Sequence, residues 1–174
     1  MHGSGLVYGS MPGLLTAEAV VPRLRGRLGR PYRFVERTTS TQRLLGEDDP
    51  EGAVAVADEQ TEGRGRLGRQ WLAPAGTSLL VSVLLRPTVE PAHLPELSLV
   101  AGRACAEASE GRVVLGVGVN VNQEAGQLPP DARTPATSLR LETGREVDRA
   151  DLLVALLDHL ERRYGEWLLG GGDH

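Results

Sequence analysis

An α+β fold, with one mixed β-sheet and helices packed on one side of it, is predicted by three observations. Strand-like and helix-like stretches alternate without the regular rhythm of a parallel sheet. The run Ala53 to Asp58 alternates alanine and valine, as a strand with a buried face does. Near the C-terminus, Leu152, Leu156, Leu160, Tyr164 and Trp167 recur at helical spacing, a stripe that belongs to a core. The 174 residues amount to one domain with a single core.

Met1 to Gly13 is rich in glycine and serine and reads as a flexible leader over residues 1–13, with the domain proper over 14–174. Thr16 is placed to cap a helix reaching Leu28, although Pro22 lacks an amide N–H and fits only a first turn, which moves the start later. Arg33 to Arg37 is a strand, Ser40 to Gly46 a short helix with Ser40 as N-cap, and Ala53 to Asp58 the next strand. Leu79 to Arg86 is a further strand, ended by Pro87. Glu90 to Ala106 reads as a helix with Cys105 on its apolar face, and Arg112 to Val119 as a strand. Asp148 is placed as the N-cap of the last helix.

The net charge of −4 argues against a nucleic-acid binder, so the arginines of Arg23 to Arg30 and Arg64 to Arg69 are local features and not a basic surface. A single cysteine excludes a disulfide within the chain and fits a reducing compartment. His2, His93, His159 and His174 are scattered without Cys or carboxylate partners at ligand spacing, so no metal site is predicted. No apolar stretch is long enough to span a bilayer and no charged-then-apolar signal opens the chain. A cytoplasmic protein with no membrane partner is the expectation.

The chemistry concentrates between Gln60 and Trp71, where Gln-Thr-Glu-Gly-Arg-Gly-Arg-Leu-Gly-Arg-Gln-Trp holds three glycines and three arginines directly after a strand. Glycine lets backbone fold over a ligand, and the guanidinium fork matches carboxylate and phosphate oxygens. An anion clamp is the functional reading; a solvated Gly/Arg loop is the plain one. Gly63, Gly65 and Gly68 also satisfy the dinucleotide fingerprint, but that motif needs a helix at the third glycine, and here Pro74 and Gly76 follow closely. Gly-Arg-Leu-Gly-Arg occurs a second time, at Gly26 to Arg30, so the pentapeptide alone says little. Context distinguishes the later copy: Gln60 at a strand end, Trp71 beyond it, and Thr38-Thr39-Ser40-Thr41-Gln42 upstream.

Ser40-Thr41-Gln42, the string Asp58 to Trp71, Pro74-Ala75-Gly76, Leu79 to Ser82 and Gly116-Val-Gly118-Val-Asn120-Val-Asn122 together resemble the catalytic core of biotin protein ligases, over Arg33 to Trp167. The resemblance implies a fold like that of class II aminoacyl-tRNA synthetases. It implies ATP-dependent formation of biotinyl-5′-AMP and transfer of biotin to a lysine of a biotin carboxyl carrier protein domain, with ATP, Mg²⁺ and biotin as the small molecules. Arg64 and Arg66 would be catalytic. Ser40, Thr41, Gln42, Gln60, Gly63, Arg64, Gly65 and Arg66 would bind biotin, and Arg66, Arg69, Trp71 and Asn120 would face ATP. Ser40 is equally a helix N-cap and Trp71 equally a core residue. Gln42 stands where the family usually carries asparagine.

Two departures accompany the resemblance. No lysine occurs anywhere, all nineteen Lys and Arg residues being arginine. The family's Lys-Trp-Pro-Asn-Asp strand and the lysine-bearing strand after it have no counterpart, so a segment is missing near 107–108; losing two strands removes sheet partners, and Arg112 to Val119 pairs with whatever precedes it. Arginine does not replace a compact ammonium. A non-catalytic binder of biotin or its adenylate, or an acyl transferase like lipoate ligase, are the alternatives. No winged helix or C-terminal β-barrel is legible, and whether the chain pairs with itself stays open.

Overall fold

The computed structural model describes residues 13–64, 70–71, 73–88, 105–109, 111–129 and 135–170. Five strands form one mixed sheet in the order β1-β2-β5-β7-β6: β1 (Tyr32–Thr38), β2 (Val54–Gln60), β5 (Ser78–Leu85), β7 (Arg112–Asn120) and β6 (Cys105–Ser109). β1 and β2 run parallel, and every other neighbour is antiparallel. β3 (Gly63–Arg64) and β4 (Gln70–Trp71) make a separate antiparallel pair. The helices are α1 (Ala17–Val20), α2 (Leu139–Thr143) and α3 (Arg149–Gly170).

The two faces of the sheet differ because its side chains alternate. One face carries Val54, Val56, Leu79, Val81, Val83, Leu85, Val113, Leu115 and Val117, all in the main core, onto which α3 packs Leu153, Leu157, Leu160 and Tyr164. The other face carries Ala55, Ala57, Gly116 and Gly118 at the corresponding positions of β2 and β7. A smaller cluster of Leu45, Ala53, Ala55, Leu84 and Val114 closes one end of it. Branched side chains thus hold the helix, and small residues leave room on the opposite side.

Asp148 caps α3 as expected, its Oδ1 accepting from the amides of Ala150 at 2.8 Å and Asp151 at 3.0 Å. The buried stripe of α3 is centred one residue later than the sequence spacing suggested, with Leu152 and Leu156 flanking the contact. The helix expected from Thr16 to Leu28 stops at Val20 and gives way to a 3-10 turn over Val21–Arg23, because Pro22 has no N–H to continue the ladder. The end of the helix expected over Glu90 to Ala106 is also corrected: Cys105 and Ala106 lie in β6, where pairing with β7 overrides local preference, and residues 89–104 lie outside the described set. β7 pairs with β6, the segment immediately preceding it, as expected for Arg112 to Val119. Of the proposed leader only Gly13 is described; its N–H donates to Asp148 at 3.1 Å.

Arg149, at the start of α3, is buried and ties the helix to the sheet. Its Nη1 meets Asp58 Oδ1 at 2.6 Å and the Ser78 carbonyl at 3.2 Å, and its Nη2 donates to the Gly13 carbonyl at 3.1 Å. Asp58→Ala leaves that guanidinium charged, buried and unpaired, which should lower unfolding free energy by about 3 kcal/mol, read from urea denaturation. A second pair, Arg33 Nη1 to Asp49 Oδ2 at 2.8 Å, holds the turn after the 3-10 segment Thr41–Leu44. The Arg33 hydrogen bond keeps the Asp49 carboxyl below its ordinary value. Its contribution is present above the unfolded carboxylate value of about 3.9 and is lost as pH falls through the lower folded value. Asp49→Asn should therefore flatten the acid limb of the stability profile, leaving the pH dependence above pH 6 unchanged, as thermal melts across pH would show.

Candidate active site

On the small-residue face, register fixes three neighbouring pairs along β5 and β7: Ser82 opposite Gly116, Leu80 opposite Gly118 and Ser78 opposite Asn120. The first and last pairs are four residues apart, about 13 Å along the strands. Each position is furnished by a different loop.

At the Ser82 end, Thr41 opens the 3-10 segment that follows Ser40. Gln60 Oε1 accepts from the Thr41 amide at 2.6 Å and from its hydroxyl at 3.0 Å, and that hydroxyl meets Ser82 Oγ at 2.7 Å. Because a backbone N–H can only donate, the Gln60 carboxamide is oriented oxygen-inward. Its Nε2 is left as a donor with no partner among the described residues. Gln42 lies over Gly116, and a Cβ built there would stand 3.3 Å from the Gln42 Cδ. Ser40 holds the N-cap position, but its side chain makes no capping hydrogen bond.

Over the middle pair lies Trp71. A Cβ at Gly118 would stand 3.3 Å from the indole Cε2 and Cζ2, so glycine is what admits the ring. The Trp71 Nε1 is buried without a hydrogen-bond partner among the described residues. A buried donor of this kind costs free energy unless a ligand oxygen meets it. Trp71 reaches the site because β4 pairs with β3, with Gly63 opposite Trp71 and Arg64 opposite Gln70. Gly63 is crossed closely, since a Cβ there would lie 3.0 Å from the Trp71 carbonyl and 3.1 Å from Gln60 Nε2. The chain beyond the third glycine enters β4, a strand, not the helix of a dinucleotide fold. Gly65, Arg66 and Arg69 lie outside the described residues.

Asn120, at the far end, is held by its neighbours. Its Nδ2 donates to the Thr137 carbonyl at 3.1 Å, and its Oδ1 accepts from Gln123 Nε2 at 3.0 Å. A groove of about 400 Å³ bordered by Arg37, Glu59, Gln60 and Pro74 opens beside the Gln60 cluster. A larger one, about 660 Å³, runs between Arg23 and α3 on the helix side of the sheet, away from these groups. Of the groups gathered on the small-residue face, the smaller groove shares only Gln60.

The structure thus brings Thr41, Gln42, Gln60, Gly63 and Trp71 together, and sets Asn120 on the same face. The sequence reading assigned no role to Ser82 or Gln123. Ser82 could have been found as one of two hydroxyls within the otherwise aliphatic, fully buried β5. Among the described residues no three His, Cys, Asp or Glu converge as metal ligands, and no helix is long and apolar enough to cross a membrane.

Comparison with known proteins agrees with this arrangement. A bifunctional ligase/repressor BirA of Bacillus spizizenii is 29% identical over 184 residues, covering 83% of this chain and 57% of the relative. That alignment is longer than the chain's own 174 residues, so the relative carries residues within the matched span that this chain lacks. The biotin–[acetyl-CoA-carboxylase] ligase of Mycobacterium tuberculosis is 34% identical over 155 residues, covering 68% of this chain and 56% of that protein. The chain therefore spans little more than half the length of these relatives. Among solved structures, a biotin protein ligase from Aquifex aeolicus in complex with biotin and ATP superposes with a TM-score of 0.69 at 28% identity, covering 79% of this chain and 72% of that one. Residues 34–131 match the biotin/lipoate A/B protein ligase family, and with more than half of its length matched the chain belongs to that family.

Proposed function

We propose that this chain is the core of an ATP-dependent biotin–protein ligase. A biotin carboxylate oxygen attacks the α-phosphorus of ATP, pyrophosphate leaves, and biotinyl-5′-AMP forms. The amine of a lysine on a biotin carboxyl carrier protein domain then attacks the acyl carbon and AMP departs. The observation that carries this reading is the Gln60 carboxamide, whose oxygen is held by the Thr41 amide and hydroxyl, the latter bonded to Ser82, leaving its Nε2 as a donor beside Gly63 at the root of the β3–β4 hairpin. A ureido carbonyl is an acceptor of the kind that group would bind, and a hydrogen-bonding pocket rejects analogues lacking it. Arg64 and Arg66 then neutralise carboxylate and phosphate together, with Arg69, Trp71 and Asn120 on the nucleotide side. Mg²⁺ accompanies the triphosphate, whose oxygens supply most of its coordination.

We take residues 14–174 as the catalytic domain, with the lysine-bearing segment absent near 107–108. The total lack of lysine favours a second reading, a binder of biotin or its adenylate that does not turn over. The ligase reading carries with it a cytoplasmic setting, no nucleic-acid or membrane partner, and a homodimer to be tested by sedimentation. Titration with biotin, lipoate and octanoate in the presence of ATP separates the possibilities. Biotin-dependent pyrophosphate release supports the ligase, saturable biotin binding without pyrophosphate supports the binder, and a response to lipoate or octanoate alone moves the chain to the other acyl branch of the family.

A further inference from the structure

Gln123 is fully buried just past β7, and its side chain is unusually placed. Its Nε2 donates to Ser78 Oγ at 2.6 Å and to Asn120 Oδ1 at 3.0 Å, while its Oε1 is buried with no partner among the described residues. Leaving an amide oxygen unsatisfied in the interior is costly, so both N–H groups must be required where they are. The reason lies one residue further along the network. The Thr137 carbonyl can only accept, which turns Asn120 Nδ2 toward it and Asn120 Oδ1 toward Gln123. Were Gln123 reversed, its oxygen would face the Asn120 oxygen. The Gln123 carbonyl in turn accepts from Ser138 Oγ at 2.6 Å, and Ser138 caps α2, so the segment carrying Thr137 is held by the same residue.

We propose that Gln123 is a positioning residue, fixing the Asn120 carboxamide so that Asn120 meets the nucleotide with its remaining Nδ2–H, as a donor to a phosphate or ribose oxygen. This rests on the ligase reading, in which Asn120 faces ATP. It makes Gln123 specific to nucleotide affinity, with no part in holding biotin at the Gln60 end of the face.

The test measures binding of biotin and of an ATP analogue with a methylene α,β bridge, from which pyrophosphate cannot leave, by isothermal titration. Gln123→Met keeps the volume and removes the donor; it should weaken the analogue about tenfold and leave biotin within about twofold. Asn120→Ala should cost a similar factor, and Gln123→Met added to Asn120→Ala should cost nothing further. If the Met variant does not fold, Gln123→Glu, which faces Asn120 with an acceptor, serves in its place. Equal losses in the presence and absence of Asn120, or equal losses for biotin and nucleotide, overturn the proposal. An Asn120→Ala variant with unchanged nucleotide affinity overturns it too, together with the nucleotide role of Asn120. A wild-type chain that binds neither ligand overturns the ligase reading itself.

Discussion

Gly118→Val should weaken biotin binding and biotinyl-adenylate formation about 100-fold while leaving the chain folded. At this position even a single Cβ would press on the indole of Trp71 at 3.3 Å, and the contact is with a ring held by its own strand pairing. Valine adds two further methyls, so the ring must leave the sheet face, taking with it the buried Nε1 and the base of the β3–β4 hairpin. The core on the opposite face is untouched, because residue 118 points away from Val117 and α3. Gly116→Ala is the internal comparison. Its Cβ would meet the end of the flexible Gln42 side chain, which can swing aside, so the loss should be several times smaller. Biotin titration and a thermal melt on each variant separate a damaged site from a damaged fold.

Arg66→Ala should release biotinyl-adenylate about 10² to 10³ times faster and slow its formation by a similar factor. This expectation comes from the Gly-Arg-Gly-Arg string and its resemblance, with Arg64 supplying the structural tie: it stands on β3, opposite Gln70, at the root of the segment that carries Arg66. A guanidinium closing over the site would neutralise the carboxylate before attack and the phosphoryl oxygens afterwards. Arg66→Lys should recover little, since a point charge does not reproduce the fork. Unchanged adenylate dissociation in Arg66→Ala would remove the clamp from the mechanism.

The sheet was readable because strand periodicity is local: alanine and valine alternate in β2, and β5 and β7 declare themselves by their aliphatic runs. Asp148 was readable for the same reason, a cap being set by a few adjacent residues. β6 was not, because Cys105-Ala106-Glu107-Ala108-Ser109 favours helix locally and becomes strand only by pairing with β7. The stripe of α3 was found but misplaced by one residue, since Leu152, Leu153, Leu156 and Leu157 offer two overlapping stripes and packing chooses between them. At the site, the resemblance named Thr41, Gln60, Trp71 and Asn120. Spacing could not show that glycine at 116 and 118 makes the floor, or that Gln123 holds Asn120, as both depend on which loops cross the sheet.

The most direct measurement of the central claim uses the two tryptophans as reporters, one on the small-residue face and one on α3 at Trp167. In an ¹⁵N-labelled protein the Trp71 indole N–H should shift saturably as biotin and ATP are added together, with the Trp167 signal staying in place and Trp71→Phe assigning the peaks. A Trp71 resonance indifferent to both ligands at saturation, or a response confined to Trp167, would contradict a site built on Gly116 and Gly118.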